Sequence, residues 1–471
     1  MNPPYEPAPR DRYCRLFPSA NPSFDLGIMQ KLGASMEASE TRIPSEQLRH
    51  PLPAGYTYFG QLVDHDLTLD ETPLNLAINY ASLPVATENA ADGRFNLNHL
   101  YGAGPGSVQH GSLYETDGCS FRLGTVRSKS GETFDLPLGK EGPEAAESRN
   151  TGNLILRQLC VMFLKLHNLA VQGLPATLDP WERFNRARNR VCWQYQWLVR
   201  EDYLYQVITH DVYDQVVPHS RHTVDWLGKG FAMPVEFSQA AFRFGHSMVR
   251  EKYTLNLDNR GVPLRAIFDP RLGDKPLDPG MAIDWARFLD MSESSLTGRN
   301  RVPAMAIDTT MVPPLFHLPR EKVHHFTEAD APDLPGALAV RTLLRGASTR
   351  LATGEGVTRA MGFVPLQDRG LPGGSASWKK LDELGLKGRT PLWYYLLLEA
   401  EMECGGVCLG TVGSQLVAEV VDGCLHSDGA SYLSCFGSSW QPAPWKMLDG
   451  TMKSIRRLLD LARVTGLAVT P

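Results

Sequence analysis

The stretch Gly55-Tyr-Thr-Tyr-Phe-Gly-Gln-Leu-Val-Asp-His-Asp-Leu67 constrains this chain more than any other. It sets an amide (Gln61), an imidazole (His65) and two acids (Asp64 and Asp66) among residues that are otherwise apolar. In a helix Gln61 and His65 stand at i and i+4, with Asp64 at i+3 from the glutamine, so the three face roughly one way. Asp66 points about 100° further round. Such a helix turns an imidazole and an amide toward one cavity and a carboxylate toward another, as the wall of a reactive site would. A core histidine held by a carboxylate is the simpler account of an isolated Asp-His-Asp, so the rest of the chain has to decide.

With 471 residues the chain exceeds the usual size of a single domain, yet no Ser/Gly-rich or charge-run linker divides it. Residues 1–54, rich in proline and polar residues, read as an arm laid over the surface with one helix near Leu26–Met36. Residues 55–471 read as one catalytic domain. A 42% hydrophobic content is ordinary for a soluble protein, and a chain this long can bury a cofactor-sized interior. The net charge of −5 gives no reason to expect nucleic acid or an anionic membrane as partner. The N-terminal residues carry no basic segment followed by an apolar one, and no run approaches the ~20 apolar residues of a membrane span. The eight cysteines lack the spacing of a zinc site or a disulfide framework, which favours a reduced, cytoplasmic compartment. Cys404 and Cys408, inside Glu-Cys-Gly-Gly-Val-Cys, read as thiols packed in a helix or turn.

Periodicity makes the class mainly α. Ile155, Leu159, Met162, Leu166 and Leu169 recur at spacings of 4, 3, 4 and 3, one face of a long buried helix over 153–174. Helical patterns continue over 180–210, 237–249, 335–352, 390–404, 411–424 and 445–464, the last with Met452, Ile455, Leu459 and Ala462 on one side. No segment alternates over five residues. The glycine cluster Tyr101-Gly-Ala-Gly-Pro-Gly106 follows no apolar strand and precedes no Lys-Ser/Thr pair, so it is a turn and not a phosphate loop. His167 reads as a satisfied core histidine, and His324-His325 as a solvated pair in a polar stretch.

Four separated pieces then need one explanation: Gln61 to Asp66, Arg149 before a long helix, His246 in Phe-Arg-Phe-Gly-His-Ser-Met, and Arg345 in Val-Arg-Thr-Leu-Leu-Arg-Gly. Two histidines in apolar frames, with arginines near them, match the needs of a buried haem. One imidazole binds the iron and the other stays free to move a proton. Arginines would meet propionates or a polarised oxygen species.

At these residues the chain resembles the animal-type haem peroxidases, the peroxidase–cyclooxygenase superfamily, in its bacterial branch. Phe59-Gly-Gln-Leu-Val-Asp-His-Asp66 is similar to the family's distal helix. Glu147-Ser-Arg149, followed by Phe163-Leu-Lys-Leu-His167-Asn168, is similar to its catalytic-arginine segment. Phe242-Arg-Phe-Gly-His246 resembles the proximal histidine helix, and Leu338-Ala-Val-Arg-Thr-Leu-Leu-Arg345 the helix after it. Thr390-Pro-Leu-Trp-Tyr-Tyr395 also has the look of the bacterial branch. The resemblance implies a multi-helix domain with haem b buried between central helices. In it His65 is the distal acid and base with Gln61 beside it, Arg149 the distal arginine and His246 the iron ligand. Arg243 and Arg345 would contact propionates and Thr342 would be the proximal partner.

The chain also departs from the family's pattern. Two acids often esterify the haem there; Asp64 fills the first place, but the second is Gly152, so at most one ester forms. Asn153 stands where the strongest halide oxidisers have methionine. The family usually places asparagine at Thr342, and a hydroxyl is a different acceptor for the His246 ring N–H. The resemblance further implies a calcium site between Asp66 and a loop holding Asp92, Asn96 and Asn98, with an internally hydrogen-bonded turn as the alternative. Arg243 occupies the position, three residues before the proximal histidine, where cyclooxygenases and fatty-acid dioxygenases carry a radical-forming tyrosine.

The expected function is therefore a haem peroxidase that reduces hydrogen peroxide through a ferryl intermediate and oxidises a small organic substrate or an easily oxidised anion. One alternative is a haem-dependent oxygenase or oxidative tailoring enzyme of secondary metabolism. Another is a non-catalytic haem-binding protein.

Overall fold

Helix α2, Gly55–Leu67, runs through the middle of the protein, with eleven of its thirteen residues buried. The structure, a computed structural model, describes residues 11–20, 24–38, 52–72, 88–128, 131–219, 232–292, 301–319, 336–370, 375–447 and 449–467. His324 and His325, and parts of the arm, lie outside the described residues.

The principal helices besides α2 are α1 (Leu26–Ala34), α3 (Leu154–Gln172), α4 (Pro180–Trp197), α5 (Leu338–Ser348), α6 (Leu392–Cys404), α7 (Thr411–Ser427) and α8 (Leu458–Val464). Side-chain oxygens start several of them by taking amides that have no intrahelical partner. Asp25 accepts from Ile28, Asn153 from Leu156, and Asp179 from Trp181 and Glu182 with Pro180 in the first turn. Helix α3 has the length and composition of a membrane span, but it is a core helix packed between α2 and α4. The arm is tied to the body: α1 packs on α5, and buried Glu236 accepts the amides of Leu16 and Phe17.

The mainly α class agrees with the reading of the sequence, with three local differences. First, Gly124–Ser128 and Gly131–Asp135 form an antiparallel hairpin, β1 and β2. Its Asp135 accepts the fully buried Arg157 of α3, so this hairpin serves the core as a counter-charge. Second, the expected helix over 237–249 is broken at Ala240 into Val235–Gln239 and a 3₁₀ segment, Ala241–His246. Arg243 Nε takes the Ser238 carbonyl at 2.8 Å, the group that an unbroken helix would give to the Phe242 amide. Third, the pattern over 445–464 is helical only in α8. Trp445–Lys446 pairs with Met452–Lys453 around a turn whose Gly450 has φ +85°, and Met452 is exposed.

Helix α4 does not stop at Trp197 but passes through a π-helical turn, Leu198–Tyr203, into Leu204–Val207. The turn brings the Tyr203 hydroxyl against the backbone of α2 at Gly60, where any Cβ would overlap it. Gly60→Ala should therefore lower stability by about 1–3 kcal/mol through overpacking. Chemical denaturation checks this, and adding Tyr203→Phe, which removes the colliding oxygen, should recover part of the loss.

Candidate functional site

Gln61 and Asp64 are the two residues of α2 that are only partly buried, and they lie on one face. Asp64 is deep in the molecule, enclosed by protein on all sides, so its open part faces inward. His246 has the same character: its ring is deep, yet it is not closed over at contact distance. The segment Ala241–His246 packs directly on α2, and the charge of Arg243 acts on both Asp64 and His246. Four of the residues singled out by sequence, Gln61, Asp64, Arg243 and His246, thus stand on two segments packed against each other.

Each polar group of α2 is held from a different element. Asn153 caps α3 with its Oδ1, at 2.6 Å from the Leu156 amide, and gives its Nδ2 to Gln61 Oε1 at 2.8 Å. Gln61 consequently keeps its amide N–H groups as donors. Asp64 accepts from Thr68 Oγ1 at 2.8 Å, and burial raises its pKa against the pull of Arg243 and Arg149. His65 Nδ1 lies 3.2 Å from Asn150 Oδ1, and His99 Nδ1 lies 3.1 Å from the same oxygen. The Asn150 Nδ2 donates to the His99 carbonyl at 2.8 Å, which fixes the amide so that its oxygen faces both imidazoles. Both rings therefore donate from Nδ1, and His65 carries its lone pair on Nε2. Burial pushes His99 down to about 3, so it stays neutral beside His65.

Arg149 reaches the same region by another route. Its Nη1 donates to the Thr68 carbonyl at 2.8 Å and its Nη2 to the His65 carbonyl at 3.0 Å, while Glu147 pairs with Nε and Nη2. The guanidinium thus caps the C-terminus of α2, where carbonyls lack intrahelical partners and a cation is favoured.

On the other side His246 Nδ1 stands 3.5 Å from Thr342 Oγ1, the outer limit of a hydrogen bond, while the Thr342 hydroxyl donates to the Leu338 carbonyl at 2.9 Å. Burial and Arg243 push His246 down to about 3. The ring is therefore neutral, with Nε2 as its lone-pair atom. Arg345 donates to the Thr72 carbonyl at 2.6 Å and lies 3.9 Å from Asp70, so in this structure it braces the chain after α2 against α5.

The candidate calcium ligands come together, but they bind one another. Asp92 Oδ2 accepts both Asn96 Nδ2 and Asn98 Nδ2 at 2.6 Å, Asn98 Oδ1 accepts Arg188 at 2.6 Å, and Asn96 Oδ1 accepts the Asn98 amide at 3.0 Å. Asp66 accepts the Leu97 amide at 3.0 Å through Oδ2, while its Oδ1 is buried without a hydrogen-bond partner. A hard cation needs six or more inward oxygens; here Asp92, Asn96 and Asn98 bond one another, with Arg188 beside them, as the internally hydrogen-bonded turn would.

Sequence reasoning missed Asn150, His99 and Trp393. Asn150 directly follows Arg149, and a buried amide there was the available signal; His99 sits in a four-residue helix, too short for periodicity to mark it. Trp393 donates from Nε1 to the Arg243 carbonyl at 3.1 Å and sets its ring 6.0 Å from that of His246. His167 is a satisfied core histidine, between the Tyr101 hydroxyl at 3.1 Å and the Cys119 carbonyl at 2.8 Å.

The animal haem peroxidase family matches residues 125–325. Among solved structures, peroxidase A from Dictyostelium discoideum is similar over 98% of this chain and 94% of its own, with a TM-score of 0.65 at 15% identity. The fatty acid alpha-dioxygenase of Arabidopsis thaliana is similar over 89% of this chain and 73% of its own (TM-score 0.56, 13% identity). That of Oryza sativa is similar over 91% and 77% (TM-score 0.59, 11% identity). No curated protein sequence matches the chain. The family match falls in the middle of the chain, and the likeness in fold extends over most of it.

The shared Asn150 oxygen generates a prediction. Asn150→Leu should lower stability by about 1–3 kcal/mol, since the buried Nδ1 donors of His65 and His99 lose their shared acceptor. Chemical denaturation reads the loss.

Proposed function

We propose that the protein is a haem-dependent peroxidase, reducing hydrogen peroxide and oxidising a small organic molecule or an easily oxidised anion. The observation that carries this reading is the tautomer of His65: its buried Nδ1 donates to the neutral Asn150 oxygen, which leaves Nε2 as the base, on a helix packed against the segment of His246. The residues fit a haem there. Neutral His246 offers Nε2 to the iron, Thr342 meets its other nitrogen, and Asp64 is the carboxylate on the same face of α2 as Gln61. When bound, haem supplies the metal that accepts peroxide and the oxidising capacity passed on to the reductant.

The chain's own residues then do the following. His65 Nε2 would hold a proton taken from one peroxide oxygen and return it to the other. The Gln61 amide N–H groups hold the peroxide by hydrogen bonding. Arg149 keeps α2 and the His65 backbone in place, and its positive charge stands near Asp64. Thr342, a neutral acceptor at long distance, leaves His246 a less basic ligand than a carboxylate partner would.

A second reading, an oxygenase acting on one bound substrate, is favoured by the likeness in fold to fatty acid alpha-dioxygenases. Arg243 stands against its familiar radical route. Its Nε is committed to the Ser238 carbonyl, and no tyrosine occupies that position. The loop of Asp92 to Asn98 we read as a turn closed by Arg188, and a chelator should leave the thermal midpoint unchanged. A fall of several degrees restored by calcium would reverse that assignment.

Absorption spectroscopy of the purified protein tests the main proposal. A Soret band should be present and shift on adding peroxide, and His246→Ala should lose the band. His65→Ala should keep it while the shift slows by about 10²–10⁴-fold. A protein that takes up no haem, or a His65→Ala variant reacting at the original rate, rejects the proposal.

A further inference from the structure

Cys404 and Cys408 differ from the other cysteines in geometry. Cys404 is the last residue of α6, and the chain then reverses through Gly405 and Gly406, whose φ values of +59° and +75° suit glycine. The reversal brings the chain at Cys408 back toward Cys404, whose thiol donates to the Leu409 carbonyl at 3.5 Å, beside Cys408. Backbone bonds hold this shape. The Gly406 amide donates to the Ala400 carbonyl at 3.0 Å, Ile307 donates to the Gly406 carbonyl at 2.9 Å, and Leu409 donates to the Val207 carbonyl at 3.0 Å.

Cys408 also has an open side. It lines a surface cavity of about 410 Å³ with Gln206, His210, Met291 and Val407, and Val407 is 44% exposed at the mouth. Of the remaining thiols, Cys119, Cys160, Cys192 and Cys424 are buried, Cys14 donates to the Ala232 carbonyl, and Cys435 is exposed. The neighbouring Cys404 thiol holds Cys408 below the usual range for cysteine, and Cys404 is raised in return. Burial raises Cys435 despite its exposure.

We propose that Cys408 and Cys404 form a redox-active dithiol, which closes to an internal disulfide by exchange with a low-molecular-weight disulfide admitted through this cavity. The Cys408 thiolate attacks one sulfur of the small disulfide. Its S–S bond breaks, and the first small thiolate leaves with the electron pair and takes up the proton that Cys408 lost. Cys404 then gives its proton to the second small thiolate as its sulfur displaces that group from Cys408. Two protein thiols are oxidised and one small disulfide is reduced to two thiols, with no further oxidant needed. The exchange is independent of the haem reading.

Oxidised glutathione added to the full chain at neutral pH is the test, read by peptide mapping. Two glutathiones should be released per chain, with Cys404 and Cys408 protected from alkylation until a reductant is added. Cys404→Ser should retain one glutathionyl group on Cys408. In the unmodified chain Cys408 should be alkylated about tenfold faster than exposed Cys435, as thiolate character requires. Glutathione found on Cys435 while Cys404 and Cys408 stay open to alkylation would overturn the proposal. So would slower alkylation of Cys408 than of Cys435, a comparison that needs no variant.

Discussion

The burial of α2 on nearly every side is the constraint from which the rest follows. Four polar side chains in a helix without solvent must find partners in the protein or lower its stability. Each finds one on a different element: Gln61 on the first residue before α3, Asp64 one turn onward at Thr68, His65 at Asn150, and Asp66 at the Leu97 amide. The same bonds that satisfy these groups also aim them. The region between Asp92 and Asn153, mostly turns and short elements, is ordered around α2 because it supplies those partners.

The principal helices were legible because their apolar spacing is long and regular, and Leu154–Gln172 is the clearest case. Where the reading failed, a side chain competes with the backbone or a turn interrupts the pattern. At residues 237–249 the Arg243 guanidinium intercepts a carbonyl, which no hydrophobic period reports. At residues 445–464 the buried Ile455, Leu459 and Ala462 mimic a longer helix, while Gly450 turns the chain before them. Gln61, Asp64, His65 and His246 stood out as polar residues in apolar frames. Asn150 and His99 did not, since a partner supplied by another loop becomes visible only when the chain is folded.

The fold likeness to a peroxidase and to fatty acid alpha-dioxygenases narrows the chemistry less than the side chains do. Both kinds of enzyme share the scaffold. What separates the readings here is local: a neutral acceptor for His65, a hydroxyl at the limit of reach from His246, and arginine at position 243. Arg345 and Arg149 join the ends of the distal segment to their neighbours. Asp70 accepts Gln239 at 3.1 Å, adding a link to the strand of chain that leads to His246.

The oxygen that Asn150 shares between two imidazoles has a consequence for how a proton is handled. His65 can be protonated and deprotonated at Nε2 while its Nδ1 contact stays as it is, so the ring has no need to swing between states. His99, held uncharged on the other lone pair, adds no repulsion when His65 becomes a cation. Reorganisation on protonation is thereby kept small: the proton arrives at and leaves one nitrogen of a stationary ring.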